Sequence, residues 1–271
     1  MRLFMAGIRK LIRRPATFVT FGVLVGLMGL IFIISGVTAD RFPDRPGARA
    51  AIALITFPGA YGAVLAFVVG LGGLLAVIYG AAIAGSEWNW GTLKNAVARG
   101  ESRARYAVTT YASAAVLLAV GMLLAFALGV VAALIGATVA GAPTGGLSDA
   151  TAVGQLPEKL LRGYAGIVEE GAIGFAIATL ARSQLAGIGA GIAVYFGEQF
   201  STIFLPDIVK YLPFNAAQAA ANITGGQFGG EGGGTGVARL APDVALVVVA
   251  AWLIGGLLVS ALVTERAEIT G

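Results

Sequence analysis

Apolar runs of twenty residues or more, separated by short polar stretches, recur along almost the whole of this chain. Crossing the hydrocarbon layer of a membrane takes about 20 residues of α-helix, and most of these runs reach that length. In lipid the backbone must satisfy its own hydrogen bonds, so continuous apolar runs indicate helices; a barrel would show short alternating strands instead. Of 271 residues 58% are hydrophobic and only 12% charged, which excludes a water-soluble globule. The expected class is all-α. A polytopic membrane protein is predicted, with six transmembrane helices in a single domain spanning residues 1–271.

The chain contains no cysteine and no histidine. That removes disulfides, thiol nucleophiles, thiolate or imidazole metal sites and every triad with an imidazole base. Of its 18 Lys and Arg residues, most flank hydrophobic runs, so the formal charge of +4 reads as a topology signal and not as a nucleic-acid footprint.

Residues 1–14 place Phe4, Ile8, Leu11 and Ile12 on one helical face and Arg2, Arg9, Lys10 and Arg13 on others, as in a helix lying on the cytosolic leaflet. A cleavable signal peptide is the competing reading, but a small-residue cleavage site is absent. Span one is expected over 17–37, followed by an external loop, Thr38–Arg49. The run from Ala51 to Ala84 is 34 residues long, and its Pro58, Gly70, Gly72 and Gly73 predict one kinked, protruding helix as span two. The polar connector Gly85–Tyr106 repeats Trp90, Leu93 and Val97 at helical spacing, which predicts a short cytosolic amphipathic helix over 86–100. Span three occupies 107–139 and leads to an external segment, 140–157.

Span four admits two solutions. Either it starts near Leu160, carries Glu169 and Glu170 at mid-depth and turns at Arg182, or one span crosses from Gly171 to Tyr195 with Arg182 buried. A lone Arg near the bilayer centre costs about 3 kcal/mol or more, whereas interior carboxyls can be protonated, hydrated or paired, which favours the turn at Arg182. Span five then covers 185–205, an external segment 206–242, and span six 244–263. On this map eleven Lys and Arg are cytosolic and seven external, so both termini are expected in the cytosol and the protein in the cell membrane.

The glycine cluster Gly225–Gly236 lacks the Gly-Lys-Ser/Thr of a phosphate loop, and no such motif occurs elsewhere. The chain is therefore not expected to be an ATPase, and no cofactor is expected in it. Glu169 and Glu170 lack the Arg and His that an intramembrane protease would add. They read either as carboxyls near the external mouth that meet water or Arg162, or as the lining of a translocation path, with Glu198 a further candidate for that path. Gly22 with Gly26, and Gly187 with Gly191, form small-residue faces suited to close helix packing or to dimerisation.

The connector GSEWNWGTLKNAVARGESRARY resembles the permease subunits of ABC-2 type ATP-binding cassette transporters, through Glu87, Trp88, Gly91, Thr92, Leu93, Lys94, Arg99, Ser102 and Arg103. The family often has a lysine shortly afterwards, where this chain reads Thr109, Thr110 and Tyr111. Ala178–Ser183 (ATLARS) is similar to the family's inner turn between spans four and five, and Tyr211, Leu212 and Pro213 to an external motif before span six. The resemblance implies two permease subunits, identical or related, around one pathway, with ATP and Mg bound by separate cytosolic ATPase subunits. It makes the connector a coupling helix in which Glu87, Trp90, Gly91, Thr92, Leu93, Lys94, Val97, Arg99 and Arg103 contact the ATPase. The function expected is outward transport of a hydrophobic or amphipathic solute. The alternatives are a proton-coupled secondary transporter using Glu169 or Glu170, and a non-transporting membrane anchor subunit. Membrane lipids are the other expected partner, and nucleic acid is not.

Overall fold

The computed structural model describes residues 2–45, 47–89, 98, 100–222 and 239–267. Among these the chain is helical: α1 (Arg2–Ile12), α2 (Pro15–Arg41), α3 (Ala48–Ile55), α4 (Gly59–Asn89), α5 (Arg103–Val139), α6 (Ala150–Ala181), α7 (Gln184–Ser201), α8 (Pro206–Val209), α9 (Pro213–Ala220) and α10 (Pro242–Arg266), with a 3-10 turn at Gly145–Ser148. Five of them, α2, α4, α5, α6 and α10, are long and apolar enough to cross a membrane. The protein is thus a multi-pass helical membrane protein by length and composition of its helices.

Helix boundaries follow local chemistry. Pro15, Pro206, Pro213 and Pro242 each open a helix, where the missing N–H is not required. Ser102, Asp149 and Ser183 cap α5, α6 and α7 by accepting backbone N–H bonds from the first turn. The turn expected at Arg182 is present: α6 ends at Ala181, Arg182 adopts a left-handed conformation (φ 51°), and Ser183 starts the next helix. The guanidinium of Arg182 lies 5.4 Å from the centroid of the Trp88 ring, a cation–π contact that helps to hold this uncommon backbone for an L-residue.

Several expected boundaries move. The single kinked span over 51–84 is instead two helices, because the ring of Pro58 cannot continue the helix of α3, whose last residue is Ile55. Gly70, Gly72 and Gly73 sit inside an unbroken α4. α2 extends through Arg41 into the loop expected at 38–49, and α6 starts at Ala150, ten residues before Leu160 and well inside the segment expected to be external. The segment 206–242 is not wholly external to the bundle either. It contributes α9, whose Phe214, Ala216, Ala217 and Ala220 are fully buried against α6 and α10. Small alanine side chains allow that close seat, as Gly166 does on the facing helix.

α4 and α6 form the centre of the bundle, and they touch backbone to backbone. A Cβ on Gly80 would fall on the Gly171 carbonyl oxygen, and one on Gly174 on the Val77 carbonyl oxygen. Gly36 of α2 and Gly136 of α5 make a second crossing of the same kind. Of the two small-residue faces read from the sequence, Gly187 and Gly191 pack inside the chain on Ala178 and Val77, whereas Gly22 and Gly26 have no atom within 4 Å of a Cβ placed there. The second face is open.

The helix ends gather in two groups. At one end meet α1, the start of α2, the last turn of α4, the first turn of α5, the α6–α7 turn and the end of α10: Arg14 bonds Ser86, Lys10 bonds Tyr106, Gly85 abuts Gln184, and Arg103 bonds the carbonyls of Glu265 and Ala267. This is called the basic end here. At the other end the Tyr61 hydroxyl donates to the Leu147 carbonyl, and Arg162 pairs with Asp243.

Candidate functional site

Two polar constellations are built into this apolar frame. The first occupies the basic end. α1 is amphipathic, with Leu11 fully buried, and its Gly7 lies on Ser113 of α5, whose hydroxyl donates to the Phe4 carbonyl at 3.1 Å. That seat carries Lys10 and Arg14 to the last turn of α4. There the Glu87 carboxylate accepts from Lys10 Nζ at 2.6 and 2.8 Å and from Arg14 Nη2 at 2.9 Å, while the Tyr106 hydroxyl donates to its Oε2 at 2.6 Å. Arg14 Nη1 also donates to the Ser86 hydroxyl at 2.6 Å. Glu87 is 6% exposed and Arg14 9%. Buried charges need such partners, since removing water from an ion costs several kcal/mol. The network therefore ties α1, α4 and α5 into one joint, immediately before the connector.

Of the residues expected to couple to an ATPase, Glu87 thus faces inward, within the joint. Arg103 is engaged with the end of α10, donating at 3.2 Å to the carbonyl of Glu265 and at 2.6 Å to that of Ala267; the Glu265 carboxylate in turn accepts the Ala104 N–H at 3.0 Å. Trp90, Gly91, Thr92, Leu93, Lys94, Val97 and Arg99 lie outside the described residues, as does most of the helix expected over 86–100. Its residues 86–89 are the last turn of α4.

The second constellation lies in the middle of α6. Glu169 and Glu170 are 0% and 1% exposed. Counting 1.5 Å per residue back from Ala181 sets them about 16–18 Å along the helix, near mid-depth for a ~30 Å hydrocarbon layer. Both oxygens of Glu169 and Oε2 of Glu170 lack a hydrogen-bond partner among the described residues. The Glu170 carboxylate lies against Gly73 of α4, in space that any side chain there would take. Directly before Glu169 the Tyr111 hydroxyl donates to the Val168 carbonyl, and one turn from Gly73 the Gly70 carbonyl accepts from Tyr195 of α7 at 3.2 Å. The expected meeting with Arg162 does not occur. That guanidinium bonds Glu158 at 2.9 Å and Asp243 at 2.7 Å, because it lies two turns nearer the other end.

Glu198, the third candidate carboxylate, has its own task. It accepts the backbone N–H of Phe214 at 3.2 Å and of Asn215 at 2.6 Å, and the Asn215 side-chain amide at 2.8 Å. A carboxylate at the N-terminus of α9 satisfies donors that have no intrahelical acceptor and meets the positive end of the helix dipole. Sequence reading missed Lys10, Arg14, Tyr106 and Asn215 as partners. Lys10 and Glu87 are 77 positions apart, and no local spacing links them.

No protein-family model matches this chain, and no curated protein matches it significantly.

Proposed function

We propose that this chain is the permease subunit of an ATP-driven exporter, in which two permease subunits form one pathway for a hydrophobic or amphipathic solute and separate cytosolic ATPases supply the energy. The observation that carries the reading is the joint around Glu87. The connector that resembles an ABC-2 coupling helix leaves α4 at a buried ionic network that links three helices. A displacement of that connector would be felt by α1, α4 and α5 together. In this reading Trp90, Leu93 and Val97 dock in an apolar groove of the ATPase, with Lys94 and Arg99 at the rim. Trp90→Ala with Leu93→Ala should weaken ATPase association by at least about tenfold, since truncating a central aromatic anchor commonly costs ~2 kcal/mol. Co-purification of the complex measures it. Full retention of the ATPase, together with its solute-stimulated hydrolysis, would exclude this connector as the coupling element.

Six crossings with both termini in the cytosol belong to the same proposal. α7 starts at the basic end beside Gly85, and α10 finishes there beside Arg103. In this reading α7 is the fifth crossing, and its 18 residues cover about 27 Å at 1.5 Å each. Cysteines introduced into this cysteine-free chain test the map with an impermeant thiol reagent on intact cells. Arg45→Cys and Gly230→Cys should label; Asn95→Cys, Ser183→Cys and Thr270→Cys should stay protected until the membrane is opened. External labelling of Thr270→Cys would mean an odd number of crossings.

A secondary transporter is the second reading, favoured by the buried carboxyls of Glu169 and Glu170, of which both oxygens of the first and Oε2 of the second have no partner among the described residues. It requires transport without any ATPase, which the same purification decides.

A further inference from the structure

We propose that the cleft between α7 and α10, floored by the start of α9, is a binding site for a lipophilic organic cation. Its bearing on export rests on the permease reading above; its binding chemistry does not. The cleft has a volume of about 330 Å³ and is lined by Val194 and Gly197 of α7, Trp252 of α10, Ile173 of α6, and Leu212 and Pro213 where α9 begins. This is the size and apolar character of a small-molecule site, which usually carries a few fixed polar groups.

Here the fixed groups share one sign. Glu198 lines the cleft at 4% exposure, and its three hydrogen bonds from Phe214 and Asn215 set its orientation without supplying a formal positive charge. Ile173, part of the wall, is one helical turn from Glu169 on the same face of α6, and Glu169, buried behind the lining, has no partner for either oxygen among the described residues. Among the described residues no Lys or Arg lines the cleft. Trp252 is held in place by its indole N–H, which donates to the Tyr211 carbonyl at 2.9 Å. An indole face attracts cations, more strongly where water is excluded.

These features select against the alternatives. An anion would meet the Glu198 carboxylate in a low-dielectric surround, and a small hydrated cation would gain nothing from the apolar walls to offset its lost water. A cation whose charge is shielded by hydrocarbon meets neither cost. A lipid acyl chain would use the walls and ignore the carboxylates, so charge is the discriminating variable.

The test compares tetraphenylphosphonium with tetraphenylborate, similar in shape and opposite in charge, on the full chain in nanodiscs, with binding to empty nanodiscs subtracted. Saturable one-to-one binding is expected for the cation alone. Gly197→Leu should weaken it by at least about tenfold by filling the cleft, and a Cβ there meets no atom within 4 Å, so the branch point enters open space and the backbone of α7 should tolerate it. Glu198→Gln should weaken cation binding as well, and thermal unfolding of this variant shows whether α9 has kept its seat. No saturable binding, equal binding of the borate, or an unaffected Gly197→Leu variant would each overturn the proposal. Loss of cation binding with an intact ATPase complex rejects the ligand class and leaves the exporter reading standing. Cation binding by a chain that associates with no ATPase does the reverse.

Discussion

Glu87→Ala is expected to detach the N-terminal helix from the bundle. The substitution leaves Lys10 and Arg14 without the carboxylate that both contact, at a place where Arg14 is 9% exposed. Removing one partner of a buried ion pair typically costs about 3–5 kcal/mol, because the remaining charge keeps its desolvation penalty without the compensating attraction. Glu87→Gln keeps size and one acceptor but loses the charge, so a smaller loss is expected from it. The readouts are the thermal midpoint in nanodiscs and the thiol reactivity of Leu11→Cys, a fully buried position on the inner face of α1. Protection of that cysteine is expected with Glu87 present, and rapid labelling with alanine in its place. An unchanged midpoint with continued protection would show that apolar contacts of α1 on α5 suffice to hold it. It would also remove the mechanical argument for coupling through this joint.

Gly80→Val is expected to prevent assembly of the bundle. The added side chain would overlap the Gly171 carbonyl oxygen, a backbone atom of the most enclosed helix, which cannot yield as a flexible side chain does. Inserting methyl groups into a packed interior costs about 1–3 kcal/mol when side chains can adjust, and more is expected when two backbones must separate. Gly22→Val supplies the control. It makes the same chemical change in a transmembrane helix at a place where nothing lies within 4 Å, so a stability change within about 0.5 kcal/mol is expected. Yield of monodisperse protein and the thermal midpoint measure both. Equal midpoints for the two variants would contradict the close α4–α6 contact, and a large loss from Gly22→Val would mean that the open face of α2 is covered in the assembled protein.

Much of the helix layout was legible because its cause is local. A span announces itself by length and hydropathy, and caps such as Ser102, Asp149 and Ser183 act within their own first turn. The turn at Arg182 was legible from the cost of burying a lone Arg. Local rules failed where two local signals competed. Pro58 was read together with the glycines of α4 as a kink, yet it ends one helix before the next begins, and Gly72 and Gly73 serve interhelical packing within an unbroken helix. α9 was missed because its alanine-rich composition reads as a polar loop when burial is unknown.

For the candidate sites, residue type was legible and partnership was not. Charge within an apolar chain marks Glu87, Glu169, Glu170 and Glu198 as costly and therefore consequential, whatever their neighbours are. Which positive group meets which carboxylate depends on separations of tens of residues: Lys10 reaches Glu87, whereas Arg162 bypasses Glu169 for Asp243. The sequence by itself determined that this chain lives in a membrane as a helical bundle, because the free energy of backbone and side chains in lipid is summed segment by segment. Only the tertiary structure decided that Glu87 is a joint, Glu198 a helix cap and Glu169 a buried carboxyl without a partner among the described residues, because hydrogen bonds and ion pairs are made over a few ångströms between groups that the order of residues does not bring together.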